Sequence, residues 1–499
     1  MRLTDYQKYR LLEILPGSLT WLTFIIAILL SIWNPIIAIY AIILFDLYWF
    51  IRIFYMAVYL VISWKRYRGN MKIDWLKKLD LLPGWQKYYH VLFLPTYKEP
   101  YEVLEQTFES LAKVNYPLDK FIVVLAGEER DKDNFEMISR RIKEKYGHLF
   151  YRLLITLHPK DISGEIAGKG SNNHYAGQQA QKLVDELNIP YENVIVSTFD
   201  IDTQPHPQYF AYLTAVFMTT RNPTRASYQP VAVYNNNLWE SNFITRLVSN
   251  STTFWLLTDL ARPERLLTFS SHSMSFKALT DVGFWQPDIV TEDTRIFLQC
   301  FLYYQGNYRT VPLYIPVSMS TVDVGNFWRS VKNQYKQIRR WAWGVEHLPY
   351  LYWNFKKVKD IPIMVKLRYL WNIGEGMYSW ATVPIVIFLM GRLPFWFADD
   401  VTRNLVLTQT APYVLQWLMR FSLVGLLLIA VYSTVLLPPR PQHGTKWFYF
   451  SYLIQWILVP FSLIFFGSIP AIDAQTRLMI GKYLGFWVSE KKAAETVIH

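Results

Sequence analysis

The chain has 499 residues, 52% hydrophobic and 17% aromatic with only 18% charged, which is too apolar for a string of soluble domains and excludes a disordered, collagen-like or nucleic-acid-tail protein. Its 51 Lys and Arg against 39 Asp and Glu leave +12, an excess that suits anionic headgroups or phosphate-bearing substrates as well as nucleic acid, so charge alone does not choose. A single cysteine, Cys300, excludes internal disulfides and multi-cysteine metal sites and reads as a small buried hydrophobe.

Residues 21–62 are apolar apart from a break at Asn34-Pro35 and the polar Asp46 and Arg52. That is room for two membrane spans of about 20 residues each, a helical hairpin, and the acids among residues 1–17 argue against a cleaved signal peptide. Asp46 and Arg52 read as an intrahelical or bundle-facing polar pair. Arg2, Lys8 and Arg10 before the hairpin, with Lys65, Arg66 and Arg68 after it, place the N-terminus and the following domain in the cytoplasm.

Residues 64–360 alternate β-branched runs with amphipathic stretches, as an α/β domain inserted between membrane segments does. The runs at 90–95, 121–126, 152–157 and 194–200 predict strands, with helices at 101–114 and 134–146, hence right-handed crossovers and a mostly parallel sheet. Ligands of such sheets bind beyond the carboxyl ends of the strands. The first run stops at Pro95-Thr96-Tyr97-Lys98-Glu99 and the fourth at Asp200-Ile201-Asp202. Two carboxylates bracketing one apolar residue repel unless a cation or a donor lies between them, and Mg²⁺ or Mn²⁺ with diphosphate oxygens is one solution. A solvated strand-end turn is the plain alternative. Gly168-Lys169-Gly170 joins glycine-freed N–H groups to one cationic side chain, a combination suited to a diphosphate and also found in ordinary turns.

Further along lie Thr291-Glu292-Asp293 and Gln337-Ile338-Arg339-Arg340-Trp341, then apolar segments at 370–390, 412–437 and 447–466, making five candidate spans. D-x-D, T-E-D and Q-x-x-R-W, in this order and inside a membrane frame, resemble the processive family-2 glycosyltransferases, the cellulose, chitin and hyaluronan synthases. The resemblance implies an α/β nucleotide-diphospho-sugar transferase domain of the GT-A type inserted between transmembrane helices. It implies that Asp202 ligates Mg²⁺ or Mn²⁺ and that Asp200 contacts the nucleotide or its sugar. Asp293 would be the general base, its pKa tuned by Glu292 and the paired aspartates. Gln337, Arg340 and Trp341 would bind the acceptor end, a guanidinium clamping phosphate and an indole stacking on sugar. Thr96, Tyr97 and Glu99 match the first nucleotide-contacting turn, and Lys169 the Gly-Lys segment that contacts diphosphate. One departure stands out: relatives carry a uracil-binding Asp after the second strand, where this chain has Glu128-Glu129. UDP is favoured over GDP. His272, in Ser271-His272-Ser273, is a candidate acceptor contact or a structural residue, and Trp285 reads as core packing.

Residues 486–491 resemble the F-x-V-T-x-K gating loop of cellulose synthases, with Ser489 for Thr, which brings Lys491 to the donor phosphates; residues 472–483 have the mix of an interfacial helix. Five crossings from the cytoplasm would leave that loop outside. Either the 447–466 segment, with Pro460, Gly467 and Pro470, is re-entrant, or another segment does not cross. The reading is a multi-pass cell-membrane enzyme in three parts: hairpin 1–63, cytoplasmic domain 64–360 and membrane helices with the tail 361–499. It is expected to be an inverting, metal-dependent transferase moving sugar from a nucleotide-sugar to a hydroxyl, building and exporting a β-linked polysaccharide. Transfer of one sugar to a lipid or polyprenyl-phosphate acceptor is the alternative; a transporter or receptor with a degenerate transferase domain is disfavoured because the acidic positions are filled. No nucleic-acid partner is expected.

Overall fold

A computed structural model describes residues 3–435 and 454–487. The chain divides into two compact units: one formed by the described parts of Met1–Ile62, Gln334–Trp353 and Leu367–Tyr483, the other by Ser63–Asn333, Asn354–Lys366 and the chain from Leu484.

The second unit is built on an 8-stranded sheet in the order β3-β2-β1-β4-β7-β6-β8-β5. β1 (Tyr89–Pro95), β2 (Phe121–Glu128), β3 (Arg152–His158) and β4 (Val194–Thr198) run parallel. β1, β2 and β4 are almost wholly buried, as expected of a sheet covered by helices on both faces. The crossovers include Tyr101–Ala112, Lys132–Tyr146 and Lys169–Glu186.

The other half was less legible. β5 (Gln204–Pro205), β6 (Ala226–Tyr234), β7 (Ser273–Ser275) and β8 (Arg309–Met319) complete a mixed sheet, with β7 antiparallel to both β4 and β6. β6 contains Pro230 and β8 contains Pro312 and Pro316, residues that normally argue against an interior strand. The register shifts between Pro230 and Val231, whose partners are Leu313 and Pro316, so Pro230 and Pro316 border a bulge in the ladder. The short β7 inserts between β4 and β6 and brings the preceding Phe269–His272 loop beside the end of β4.

The first unit is helical. Asp5–Trp33 and Pro35–Asn70 break at Asn34, and with Gln455–Met479 they are the three described helices long and apolar enough to cross a membrane. The pair Ile363–Phe388 and Met390–Phe397, bent by 44°, forms a fourth candidate. Val406–Val435 is helical through Pro412. The last apolar run does not stop at its prolines. Pro460 and Pro470 each sit in the first turn of a restarted helix, where their lost N–H has no helical acceptor, and a π-helical turn at Ile464–Ser468 joins them. The run therefore extends to Met479 and absorbs much of the stretch expected to lie on the membrane surface.

Polar contacts within this unit join its helices. Thr20 Oγ1 lies 2.7 Å from Gln475 Oε1, Trp21 Nε1 donates to Thr476 Oγ1 at 2.9 Å, and Gln475 Nε2 donates to the Met377 carbonyl at 2.8 Å. Arg52 pairs with Glu375 at 3.0 Å, on the helix Ile363–Phe388, and not with Asp46, because the partner comes from a neighbouring helix. Its guanidinium also lies 5.3 Å from the Trp49 ring centroid.

Candidate active site

β4 ends at Thr198, where Phe199 N still bonds the Phe93 carbonyl at 3.0 Å, and the chain then turns, with Thr203 N bonding the Asp200 carbonyl at 2.8 Å. Strand periodicity therefore does not govern the two aspartates, and their carboxylates take different partners. Asp200 accepts from Ser270 Oγ at 2.8 Å and from Lys169 Nζ at 2.8 Å. Asp202, 3% exposed, accepts from the Ser320 backbone N–H at 2.9 Å, while its own carbonyl accepts from Asn236 Nδ2 at 2.9 Å.

Glu292 and Asp293 occupy the first turn of the helix Glu292–Tyr303, where the helix dipole favours carboxylates. The Asp293 carbonyl accepts from Thr268 Oγ1 at 2.5 Å, and Thr294 Oγ1 donates to the Thr268 carbonyl at 2.9 Å, pinning this turn to the loop before β7. Lys169 stands between the acids. Its Nζ lies 2.9 Å from each Asp293 oxygen and 3.7 Å from Glu292 Oε1. Burial works against that ammonium charge, but Asp200, Asp293 and Glu292 outweigh it and hold the lysine well above its ordinary pKa. The acid-rich pocket expected around Asp293 is thus compensated by a cation from 124 residues away in sequence.

His272 is fully buried. Its Nδ1–H donates to the Phe269 carbonyl at 3.0 Å and stands 3.9 Å from Asp293 Oδ1. Burial pushes its pKa down to about 4, so at neutral pH the ring is neutral and Nε2 keeps a lone pair. Trp285 is buried edge-to-face on Phe93, 5.2 Å between centroids, as core packing requires.

At the end of β1, Glu99 closes the turn by accepting from Thr96 Oγ1 at 2.8 Å and Tyr97 N at 2.5 Å. Lys98 takes a left-handed φ of 62° there, with its N–H on Asp131 Oδ2 at 2.9 Å. The Arg130 guanidinium covers the Tyr97 ring, 4.3 Å from its centroid, and bonds the buried Glu128 carboxylate, with Nε at 3.0 Å. Glu128 therefore already has a counter-ion. Arg130, Ser270 and the Ser320 amide were not anticipated; Ser270 borders the flagged Ser271-His272-Ser273, and Arg130 follows Glu128-Glu129 directly.

The expected diphosphate turn is packed instead of open. A methyl on Gly168 would overlap the Phe486 ring, and one on Gly170 would meet Gln286 O at 3.2 Å and Ile289 O at 3.3 Å. Gln337, Arg340 and Trp341 lie on the helix Phe327–Ala342, whose residues from Gln334 onward belong to the helical unit. There Arg339 pairs with Asp473 at 2.9 Å. Lys491 lies outside the described residues.

Comparison with known proteins places this architecture. Residues 195–468 match the family described as Glycosyl transferase family group 2, more than half of the chain. The chain belongs to that family. This glycosyltransferase therefore transfers a sugar from a nucleotide-sugar donor. Among solved structures it is similar to the mannosyltransferase PcManGT from Pyrobaculum calidifontis, in complex with GDP-Man and Mn²⁺ (14% identity, TM-score 0.40, covering 81% of this chain and 99% of that one). It is also similar to S. aureus TarS 1–349 in complex with UDP-GlcNAc (14% identity, TM-score 0.36, covering 70% of this chain and 91% of that one). No curated protein sequence matches the transferase.

Proposed function

We propose that this transferase is an inverting, membrane-embedded enzyme that moves a sugar from a UDP-sugar onto the growing end of a β-linked glycan. The carrying observation is the partly buried Asp293 carboxylate on a helix N-terminus, within one cluster with Asp200 and Lys169. In the step, the acceptor oxygen bonds the anomeric carbon as the bond to the diphosphate breaks, and the hydroxyl proton passes to Asp293. Gln337, Arg340 and Trp341 are assigned to the acceptor by their resemblance to Q-x-x-R-W.

The residues fit a divalent ion carried largely by the donor. Asp202 offers a hard carboxylate oxygen, the kind of ligand Mg²⁺ and Mn²⁺ take alongside substrate phosphates. Among the described residues no group of three or more His, Cys, Asp or Glu side chains is placed to hold a metal, so diphosphate and water would complete the shell. When bound, the ion would neutralise charge on the leaving diphosphate.

The transferase domain is assigned to the cytoplasm and the helices to a multi-pass bundle, supported by the basic flanks of the first two helices. Radiolabelled UDP-glucose, UDP-N-acetylglucosamine and GDP-mannose, supplied to inside-out vesicles and to intact cells, test the whole reading. A high-mass product from a UDP-sugar, made only by the vesicles, is expected. Label extracted entirely into organic solvent would establish single transfer to a lipid, and incorporation by intact cells would reverse the orientation.

The seat of Phe486 against Gly168 supports a closing role for residues 486–491. Truncation after Gly485 is expected to remove most transfer while leaving the transferase domain folded, and to raise donor hydrolysis, because a closed site excludes water. Unchanged transfer by the truncated enzyme would reduce this segment to an inert tail.

A further inference from the structure

We infer that Lys169 is a positioning residue for the Asp293 carboxylate and not a ligand of the donor diphosphate. The inference rests on the reading of Asp293 as the proton acceptor.

An ammonium group has three hydrogens, and three oxygens face this one at hydrogen-bond distance: Asp200 Oδ1 at 2.8 Å and both Asp293 oxygens at 2.9 Å. The Lys169 side chain is only 9% exposed, against 20% for Asp293 and 25% for Asp200, so the acids lie nearer the open side than the lysine does. A lysine held for phosphate should instead present its ammonium to the pocket, on a turn with free N–H groups.

The backbone agrees. Gly168 N–H is taken by Ser171 Oγ at 3.2 Å, and Ser171 Oγ also donates to the Ile166 carbonyl at 2.9 Å. Ile166 N–H bonds the Pro287 carbonyl at 2.9 Å, tying this loop to the segment that leads into Glu292 and Asp293. Gly170 extends the contact. A Cβ there would stand 3.2 Å from Gln286 O, 3.3 Å from Ile289 O and 3.4 Å from Glu292 Cβ, so the missing side chain lets the helix Lys169–Glu186 approach the first turn of Glu292–Tyr303. Gly170, next to Lys169, thus sets the helix-to-helix distance, and that distance brings the ammonium to Asp293. Gripping both oxygens fixes the carboxylate plane. Misplacing a reacting group by about 1 Å can cost about 100-fold in rate.

The test uses the full-length transferase in membranes, with whichever of UDP-glucose, UDP-N-acetylglucosamine or GDP-mannose the wild type turns over. Lys169→Met is expected to lower kcat by about 100-fold while leaving donor KM and the affinity for UDP or GDP within about twofold. Introduced into an Asp293→Asn background, it should cause no further loss, because its effect passes through the same carboxylate. Gly170→Ala, which keeps the lysine and backs the two helices apart, should repeat the kcat-only loss. That variant decides the matter if Lys169→Met does not fold. A raised KM with kcat preserved, or an equal further loss in the Asp293→Asn background, would overturn the inference and return Lys169 to the diphosphate. Full turnover by Asp293→Asn alone would sink the underlying reading instead.

Discussion

Asp293→Asn is expected to lower turnover by about 10²- to 10⁴-fold while nucleotide affinity holds within about twofold, the signature of a lost proton acceptor. An amide keeps the size of the carboxylate but cannot take the proton from the acceptor hydroxyl. The surroundings sharpen the expectation. Both oxygens of Asp293 face Lys169 Nζ at 2.9 Å, so either orientation of the amide turns an NH₂ toward the ammonium. The ammonium keeps Asp200 at 2.8 Å, and the Asp293 carbonyl keeps Thr268 Oγ1, so the helix start stays anchored. Nucleotide titration beside steady-state kinetics makes the check. Parallel loss of binding and turnover would assign Asp293 a structural role.

The second large effect is expected at Asp202, where the choice of substitution matters. Asp202→Ala leaves the Ser320 N–H without its acceptor in a buried place, at a cost of about 1–3 kcal/mol. Asp202→Asn can still accept that hydrogen bond through its amide oxygen while removing the charge. If the carboxylate helps to hold the ion on the leaving diphosphate, both variants should lose about 3–4 kcal/mol of transition-state stabilisation, or roughly 10²–10³ in kcat. Only the alanine variant should also melt earlier. The half-saturating Mn²⁺ concentration of the asparagine variant should rise more than about tenfold if a ligand is lost. Near-wild-type turnover by Asp202→Asn at saturating Mg²⁺ or Mn²⁺ would remove Asp202 from the metal assignment.

What the sequence determined by itself was whatever depends on neighbours along the chain. Apolar run length marked the helices that break at Asn34, and β-branched runs located β1 to β4 within a few residues. Charge and strand-end position singled out Asp200 and Asp202, and the resemblance of Thr291-Glu292-Asp293 to a family motif singled out Glu292 and Asp293, before any contact was known. Local rules misled where tertiary context supplied what the residue lacked: bulged pairing accommodates Pro230 and Pro316, and restarted helical turns accommodate Pro460 and Pro470.

Pairings between distant residues were decided only by the tertiary structure. Arg52 reaches Glu375 and not Asp46, Arg130 claims both Tyr97 and Glu128, and Lys169 bonds Asp293 across 124 positions. A charge inside an apolar segment must find a partner, so the sequence announces that Arg52 needs one, whereas the burial of Lys169 is seen only in the structure. Which carboxylate answers depends on how closely two helices approach. For Lys169 that approach is set by Gly170, whose absent side chain no composition or motif spacing can weigh.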